Sequence, residues 1–155
     1  MVITDKFVFV HIPKSGGTFI RNILLHDSFK NINPKSDYFH HSPAQIYRGD
    51  LPIIFVRRSY ESWVKSWTTY WSFRPKESTN PFLACTWSGG DFKKYYKCMY
   101  KYMTATENKL IEINFDNLRS DLCKALKKMD AISKDGIRLI MNSEKINESG
   151  SNPIK

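Results

Sequence analysis

The turn at residues 14–18 reads Lys-Ser-Gly-Gly-Thr and places a cation, two hydroxyls and two glycines together. Glycines let the backbone approach a ligand closely and adopt left-handed φ angles. A helix that begins here adds unpaired N–H groups and the positive end of its dipole. Lys14 contributes a full charge and Thr18 a hydroxyl. The turn therefore predicts a cradle for a phosphate-like anion, although a Gly-Gly turn between a strand and a helix also forms without a ligand.

The order of these residues distinguishes the turn from two common nucleotide-binding loops. The phosphate loop of nucleoside triphosphatases reads GxxxxGK[ST], with the lysine after the glycines, whereas Lys14 precedes Gly16 and Gly17. The GxGxxG sequence of dinucleotide-binding folds is missing after the strand as well. Kinase, GTPase and dinucleotide chemistry are therefore disfavoured. The three cysteines and four histidines form no zinc pattern, so we expect no metal site.

Further candidates lie at His40, His41 and Arg57. An arginine at the carboxyl end of a strand can bind a phosphate through two parallel hydrogen bonds, or it can simply be solvated. Histidine is the commonest general base, but both histidines could also be ordinary surface residues. Because neighbours in a strand point to opposite faces, only one of the pair should face a site, and we favour His41. Glu61 is an alternative base, and His11 is interpreted as structural.

Three short apolar runs predict the strands that position these side chains. They cover residues 7–12, 52–56 and 109–113 and are rich in β-branched and aromatic residues, as in strands buried on both faces of a parallel sheet. A weaker strand is predicted over residues 38–41. Strands that alternate with helical patterns predict an α/β domain with a mainly parallel central sheet flanked by helices.

Helical spacing of apolar residues predicts six helices, four between these strands and two after the last strand. One begins at Thr18, a short one follows Ser42 with Pro43 at its first position, and Ser59 and Asp91 cap two more. The fifth follows residues 115–118, and a last short helix is predicted over residues 137–141. Residues 75–90 are interpreted as a loop.

Trp63, Trp67 and Trp71 are spaced four residues apart on the predicted helix after Ser59. The simplest interpretation is a core-facing stripe. Aromatic faces also stack on sugar rings, so the end of this helix could line an acceptor groove, with Trp87 as a further candidate.

Residues 9–18, Phe-Val-His-Ile-Pro-Lys-Ser-Gly-Gly-Thr, resemble the 5′-phosphosulfate loop of sulfotransferases, most closely the carbohydrate (heparan and chondroitin type) branch. Residues 54–67 resemble the 3′-phosphate segment of that family, with Arg57 at the family arginine position. Residues 109–118 resemble a late strand and the start of its helix. The resemblance implies a three-layer P-loop-like domain and the donor 3′-phosphoadenosine-5′-phosphosulfate (PAPS), with 3′,5′-adenosine bisphosphate (PAP) as product and no metal.

The resemblance also implies roles for individual residues. Lys14 would stabilise the bridging oxygen of the donor, and His41 or His40 would act as base. The residues implied in donor binding are Lys14, Ser15, Gly16, Gly17, Thr18, Phe19, Arg57, Lys65 and Ser66. The chain departs from the family pattern in having Arg58 and Ser59 after the arginine. The family serine falls on Lys65, with Ser66 one position later.

We therefore expect a sulfotransferase that transfers a sulfuryl group from PAPS to a hydroxyl or amine, on a carbohydrate acceptor or another one. A nucleotide-binding protein of this fold without catalysis is the first alternative. A basic nucleic-acid-binding domain and a small nucleotide kinase are weaker alternatives, since no nucleic-acid recognition motif is found. A homodimer could complete the acceptor region.

Length and charge agree with this expectation. The 155 residues fit one domain, with a loose tail over residues 142–155, and the formal net charge of +9 favours an anionic partner. The sequence contains neither a signal peptide nor an apolar run long enough to span a membrane. With the odd number of cysteines, which we expect to be reduced, this predicts a cytoplasmic protein without a membrane anchor.

Overall fold

The structure of the chain is a computed structural model that describes residues 1–36, 41–72 and 91–144, and for residues 70–72 the backbone alone. Several predictions lie outside these residues: His40, the loop over 75–90, the side chain of Trp71, and the tail beyond 144. Of the strand predicted over residues 38–41 only His41 is described, and it lies in a turn.

Four strands form one sheet in the order β1 (Val2–Ile3), β2 (Val8–Val10), β3 (Ile53–Arg57) and β4 (Leu110–Asn114). β2, β3 and β4 run parallel, and β1 is antiparallel to β2. This confirms the α/β class and the three predicted strands. β1 was not predicted, since its two residues are too few to show a periodic pattern.

Alternate residues of the parallel strands face two separate hydrophobic clusters. Phe9, Ile54 and Val56 belong to one cluster, and Val10 and Phe55 belong to the other. Strand neighbours point to opposite faces of a sheet, so the two clusters lie on its two sides. Helices therefore cover both faces, which explains why the strand sequences are almost continuously apolar.

Two helices pack on one face of the sheet, namely α2 (Tyr60–Ser72) and α3 (Phe92–Met103). Both begin at the predicted caps. The Ser59 hydroxyl accepts a hydrogen bond from the amide of Ser62 at 3.3 Å, and the Asp91 carboxylate accepts from two amides of the first turn of α3.

Three helices pack on the other face, namely α1 (Gly17–Leu24), α4 (Leu118–Lys128) and α5 (Lys134–Asn142). α5 begins three residues earlier than predicted, because the Ser133 hydroxyl caps it by accepting from the Gly136 amide at 3.1 Å. The helix predicted after Ser42 is a 3₁₀-helix over Ala44–Ile46. Two more 3₁₀-helices cover Asp27–Ile32 and Phe115–Asn117.

The connection from α1 to β3 first follows the outer edge of the sheet. The backbone of Lys35 exchanges two hydrogen bonds of 2.8 Å with Ile3 of β1. The next described residues pack on the opposite side, where Ala44 joins the cluster that contains Val10. His41 lies against His11, the residue that follows β2. No helix within the described ranges is long and apolar enough to cross a bilayer.

The central position of β3 gives a first testable prediction. Ile54 is fully buried, so Ile54→Ala is expected to reduce the free energy of unfolding by about 2–5 kcal/mol in urea denaturation. The matched control is Ile46→Ala, because Ile46 is 39% exposed and its truncation should cost at most about 0.5 kcal/mol. Equal losses of unfolding free energy in the two variants would contradict the burial of Ile54 in a core on one face of the sheet.

Candidate anion-binding and proton-transfer site

The turn after β2 has an unusual backbone at two positions. Lys14 has φ 59° and Gly16, the N-cap of α1, has φ 75°. Left-handed backbone costs glycine nothing but costs other residues about 1–2 kcal/mol. Between Lys14 and Gly16, the Ser15 N–H donates to the Ile12 carbonyl at 3.3 Å and is therefore not directed at a ligand. The first-turn amides of α1 add donors that have no acceptor within the helix.

Close packing accounts for both glycines of this turn. A Cβ on Gly17 would lie 1.9 Å from Cδ2 of His11, and a Cβ on Gly16 would lie 3.0 Å from Cε2 of Phe115. The His11 ring, interpreted from sequence as structural, is buried between β2 and α1. The glycines are therefore required by packing, whether or not a ligand binds.

The side chains of this turn point in different directions. Thr18 is exposed at the first turn of α1, whereas Phe19 is buried in the core beneath the guanidinium of Arg119, 4.8 Å from its ring centre. Ser15 is fully buried, and its hydroxyl lies 2.8 Å from the Tyr100 hydroxyl. Of the residues expected to bind the donor, Phe19 can therefore contribute only backbone groups, and the Ser15 N–H already donates to the Ile12 carbonyl at 3.3 Å.

Arg57 ends β3 on the face covered by α3. Its Nε donates to the Glu112 carboxylate at 2.8 Å, and its guanidinium lies 4.4 Å from the centre of the Tyr100 ring. Burial disfavours the charged form, but the hydrogen bond and the charge of Glu112 outweigh it and raise the pKa of Arg57. These contacts fix the Arg57 side chain on the sheet. Because the side chain is 40% exposed, it is still accessible to an anion.

Arg58 is buried and contacts the 14–18 turn directly, although from sequence it looked only like a departure from a family pattern. Its NH1 donates to the Lys14 carbonyl at 3.0 Å and its Nε donates to the Ser62 hydroxyl at 2.7 Å. The guanidinium also lies 4.0 Å from the centre of the Phe115 ring. Strand alternation predicts that the two consecutive arginines at this strand end face opposite sides, but it does not say which of them reaches the turn.

Tyr100 joins the turn to the end of β3. Its hydroxyl accepts from the Arg58 amide at 3.0 Å, lies 3.2 Å from the Val56 carbonyl and contacts Ser15. Burial raises the pKa of Tyr100, against the effect of the hydrogen bonds from Ser15 and Arg58, so the phenol stays neutral. Nothing in the sequence pattern of this helix singled out Tyr100.

The tryptophan stripe is a core feature at its first two positions. Trp63 is fully buried and stacks on Trp67 with ring centres 5.3 Å apart, and Trp67 is also buried. The Trp63 indole N–H in addition donates to the Pro13 carbonyl at 3.1 Å. The core interpretation is therefore confirmed for these two residues, and one of them contacts the turn.

Two donor-binding candidates on α2 differ in exposure. Lys65 is exposed, and Ser66, one residue later, is buried. Within the described residues, no hydrogen bond or ion pair joins Lys65 to Arg57 or to the 14–18 turn. Glu61, the alternative base, is exposed in the first turn of α2.

His41 lies at the turn with its tautomer defined by a hydrogen bond. Nδ1 lies 2.9 Å from the His11 carbonyl, and the two rings meet edge to face with centres 4.6 Å apart. A carbonyl accepts only, so Nδ1 carries the proton and Nε2 carries the lone pair. Although much of the residue is exposed, burial of the ring lowers its pKa below 6.5. The positive N-terminus and Lys14 lower it further, and the His11 hydrogen bond opposes them.

The His11 ring connects two parts of this region, because it packs on Gly17 at the start of α1 and against the His41 ring. The structure brings the turn, Arg58 and His41 together, while Arg57 lies on the neighbouring face of β3. No group of three His, Cys, Asp or Glu side chains that could hold a metal occurs within residues 1–36, 41–72 and 91–144. In comparisons with known proteins, no family model and no curated protein matches this chain.

The environment of His41 gives a second prediction. An NMR titration of its ring protons should give a pKa below 6.5, and Lys14→Met should raise it because a nearby positive charge is removed. Since the unfolded chain takes up this proton more readily, the same shift lowers folding stability as the pH falls below 6.5. Lys30→Met, at an exposed lysine paired with Asp27, is the control. A value above 6.5, or one insensitive to Lys14, would contradict the described site.

Proposed function

We propose that this protein is a PAPS-dependent sulfotransferase. The observation that carries the proposal is the 14–18 turn, in which left-handed Lys14 and Gly16 precede the amides of α1 and a neutral His41 lies beside them. Three segments that resemble sulfotransferases occur in the family order. Two of them, around the turn and Arg57, lie at the carboxyl ends of the adjacent strands β2 and β3.

The residues of the turn fit the sulfated end of such a donor. The first-turn amides of α1 and the Lys14 ammonium would hold the 5′-phosphosulfate, since anions bind at helix N-termini. Arg57 would hold the 3′-phosphate through the guanidinium N–H groups that Glu112 does not use. Lys65 and Ser66 remain predicted donor contacts, and only Lys65 is exposed.

PAPS, when bound, supplies an activated sulfuryl group. His41 would accept the proton of the attacking hydroxyl or amine on Nε2, because Nδ1 already carries the proton that faces the His11 carbonyl. Lys14 would stabilise negative charge as it develops on the leaving phosphate. The rigid turn would position both groups without reorganisation during the reaction.

The finer fold belongs to the same proposal. A parallel sheet covered on both faces, with an anion-binding turn after β2, is compatible with a three-layer P-loop-like domain. Cys98 and Cys123 are free thiols, as is usual for proteins of the reducing cytoplasm, and this supports the proposed cytoplasmic location. The carbohydrate acceptor and the homodimer stay predictions.

A nucleotide-binding protein without catalysis is the second candidate. It is favoured by one observation: Lys65 stands where the family pattern has a hydroxyl. It shares nucleotide binding with the first candidate and differs in having no need for the base His41.

Nucleotide selectivity gives a third prediction. PAP at one hundred times its Kd should stabilise the protein by about 2.7 kcal/mol, or roughly 5–10 °C in Tm, whereas ATP and duplex DNA at the same concentration should have little effect. A thermal-shift series with the three ligands measures this. Stabilisation by ATP without any by PAP would rule the proposal out, and stabilisation by DNA alone would favour a nucleic-acid-binding domain.

Catalysis gives a fourth prediction. His41→Ala should reduce the transfer of labelled sulfate from PAPS by about 10²–10⁴-fold with little loss of PAP affinity, because only the proton acceptor is removed. Lys14→Ala should reduce both transfer and PAP affinity. His26→Ala and Lys30→Ala, at exposed positions of the 3₁₀-helix after α1 and its cap, are the controls.

Full activity in both site variants would refute these roles. PAP binding by a wild-type protein that transfers no sulfate to any hydroxyl or amine acceptor tested would support the second candidate.

A further inference from the structure

The carbonyl groups at the start of the turn are bonded by side chains from the β3–α2 segment. The Trp63 indole donates to the Pro13 carbonyl at 3.1 Å, and Arg58 donates to the Lys14 carbonyl at 3.0 Å. Arg58 thus holds one side of the peptide between Lys14 and Ser15, and the Ser15 N–H on its other side donates to the Ile12 carbonyl at 3.3 Å. The hydroxyl contact between Ser15 and Tyr100 adds a third attachment.

Lys14 is the residue of the turn that most needs such attachment. Among the described residues, three non-glycine residues have positive φ: Lys14, Asn33 and Asp130. Asn and Asp are the side chains that tolerate this conformation best, whereas a lysine adopts it only where its surroundings enforce it. The backbone of Lys14 therefore stores strain that another group must hold.

Arg58 is itself fixed at both ends. Its backbone N–H donates to the Tyr100 hydroxyl at 3.0 Å, and its carbonyl accepts from the Tyr96 hydroxyl. Its guanidinium is held by Ser62 and packs on Phe115. The same Phe115 ring lies against Gly16, so one aromatic ring contacts both the arginine and the left-handed glycine.

We propose that Arg58 is a positioning residue that keeps Lys14 in its left-handed conformation and so forms the anion cradle before a ligand arrives. This inference rests on the proposed function for the identity of the anion. It does not require Arg58 to touch the anion. The proposal makes a specific prediction. The contribution of Arg58 to anion binding should depend on whether residue 14 resists the left-handed conformation.

A double-mutant cycle tests this dependence. Lys14→Ala and Lys14→Gly both remove the ammonium, but only alanine resists left-handed backbone. We expect Arg58→Ala to weaken PAP binding about tenfold in the Lys14→Ala background and less than twofold in the Lys14→Gly background, measured by calorimetry. Equal losses in the two backgrounds would overturn the proposal, since packing or charge alone acts on both alike.

Thermal denaturation without nucleotide tests the same point independently. With Arg58 present, the Lys14→Gly protein should melt about 2–4 °C above the Lys14→Ala protein, because glycine relieves about 1 kcal/mol of strain. The gap should close in Arg58→Ala, where the turn can relax. Arg138→Ala, at an exposed arginine paired with Asp135, is the control and should preserve the gap. A gap that persists without Arg58 would overturn the proposal.

Arg58→Lys replaces Arg58→Ala in both tests if the alanine variant fails to fold. It keeps a buried cation but lacks the planar guanidinium, whose Nε and NH1 reach Ser62 and Lys14 from two separate atoms. If the wild-type protein does not bind PAP while the melting gap behaves as expected, the positioning role stands and the proposed function falls. If PAP binds and both tests fail, the proposed function stands and the positioning role falls.

Discussion

The site depends on the hydrogen bond from Arg58 to the Lys14 carbonyl, which joins the segment after β3 to the segment after β2. Because β2 and β3 are adjacent and parallel, Lys14 after β2 and Arg58 after β3 both lie at the carboxyl end of the sheet. The left-handed backbone of Lys14 and Gly16 then turns the chain into α1, where Gly17 admits the His11 ring. A looser connection would leave the amides of the turn without a defined direction.

Burial on both faces of the sheet makes this connection rigid. β2 and β3 are packed between two hydrophobic clusters, so neither strand can shift in register without moving apolar residues into water. Tyr100 extends the same rigidity to α3, because one hydroxyl contacts the turn and the backbone at the end of β3. The polar network thus forms where three buried elements meet, and each of its hydroxyls has a partner.

The elements could be predicted from sequence more fully than the contacts between them. Continuous apolar runs identified β2, β3 and β4, and capping residues identified the starts of α2 and α3. β1 has two residues and is recognised only by its pairing with Val8 and Phe9. The role of Arg58 also depends on a tertiary contact, since nothing in the order Arg57-Arg58 says which guanidinium reaches the turn.

The neighbourhood of Lys14 and His41 has an electrostatic consequence for a reaction with an anionic donor. Burial lowers the pKa of His41 most, and the positive charge of Lys14 lowers it further. An anion bound in the turn would compensate the charge of Lys14 and remove part of this effect. The imidazole would then become more basic when the donor is in place, and less basic when the turn is empty. In the proposed reaction, Lys14 would thereby link donor binding in the turn to the basicity of His41.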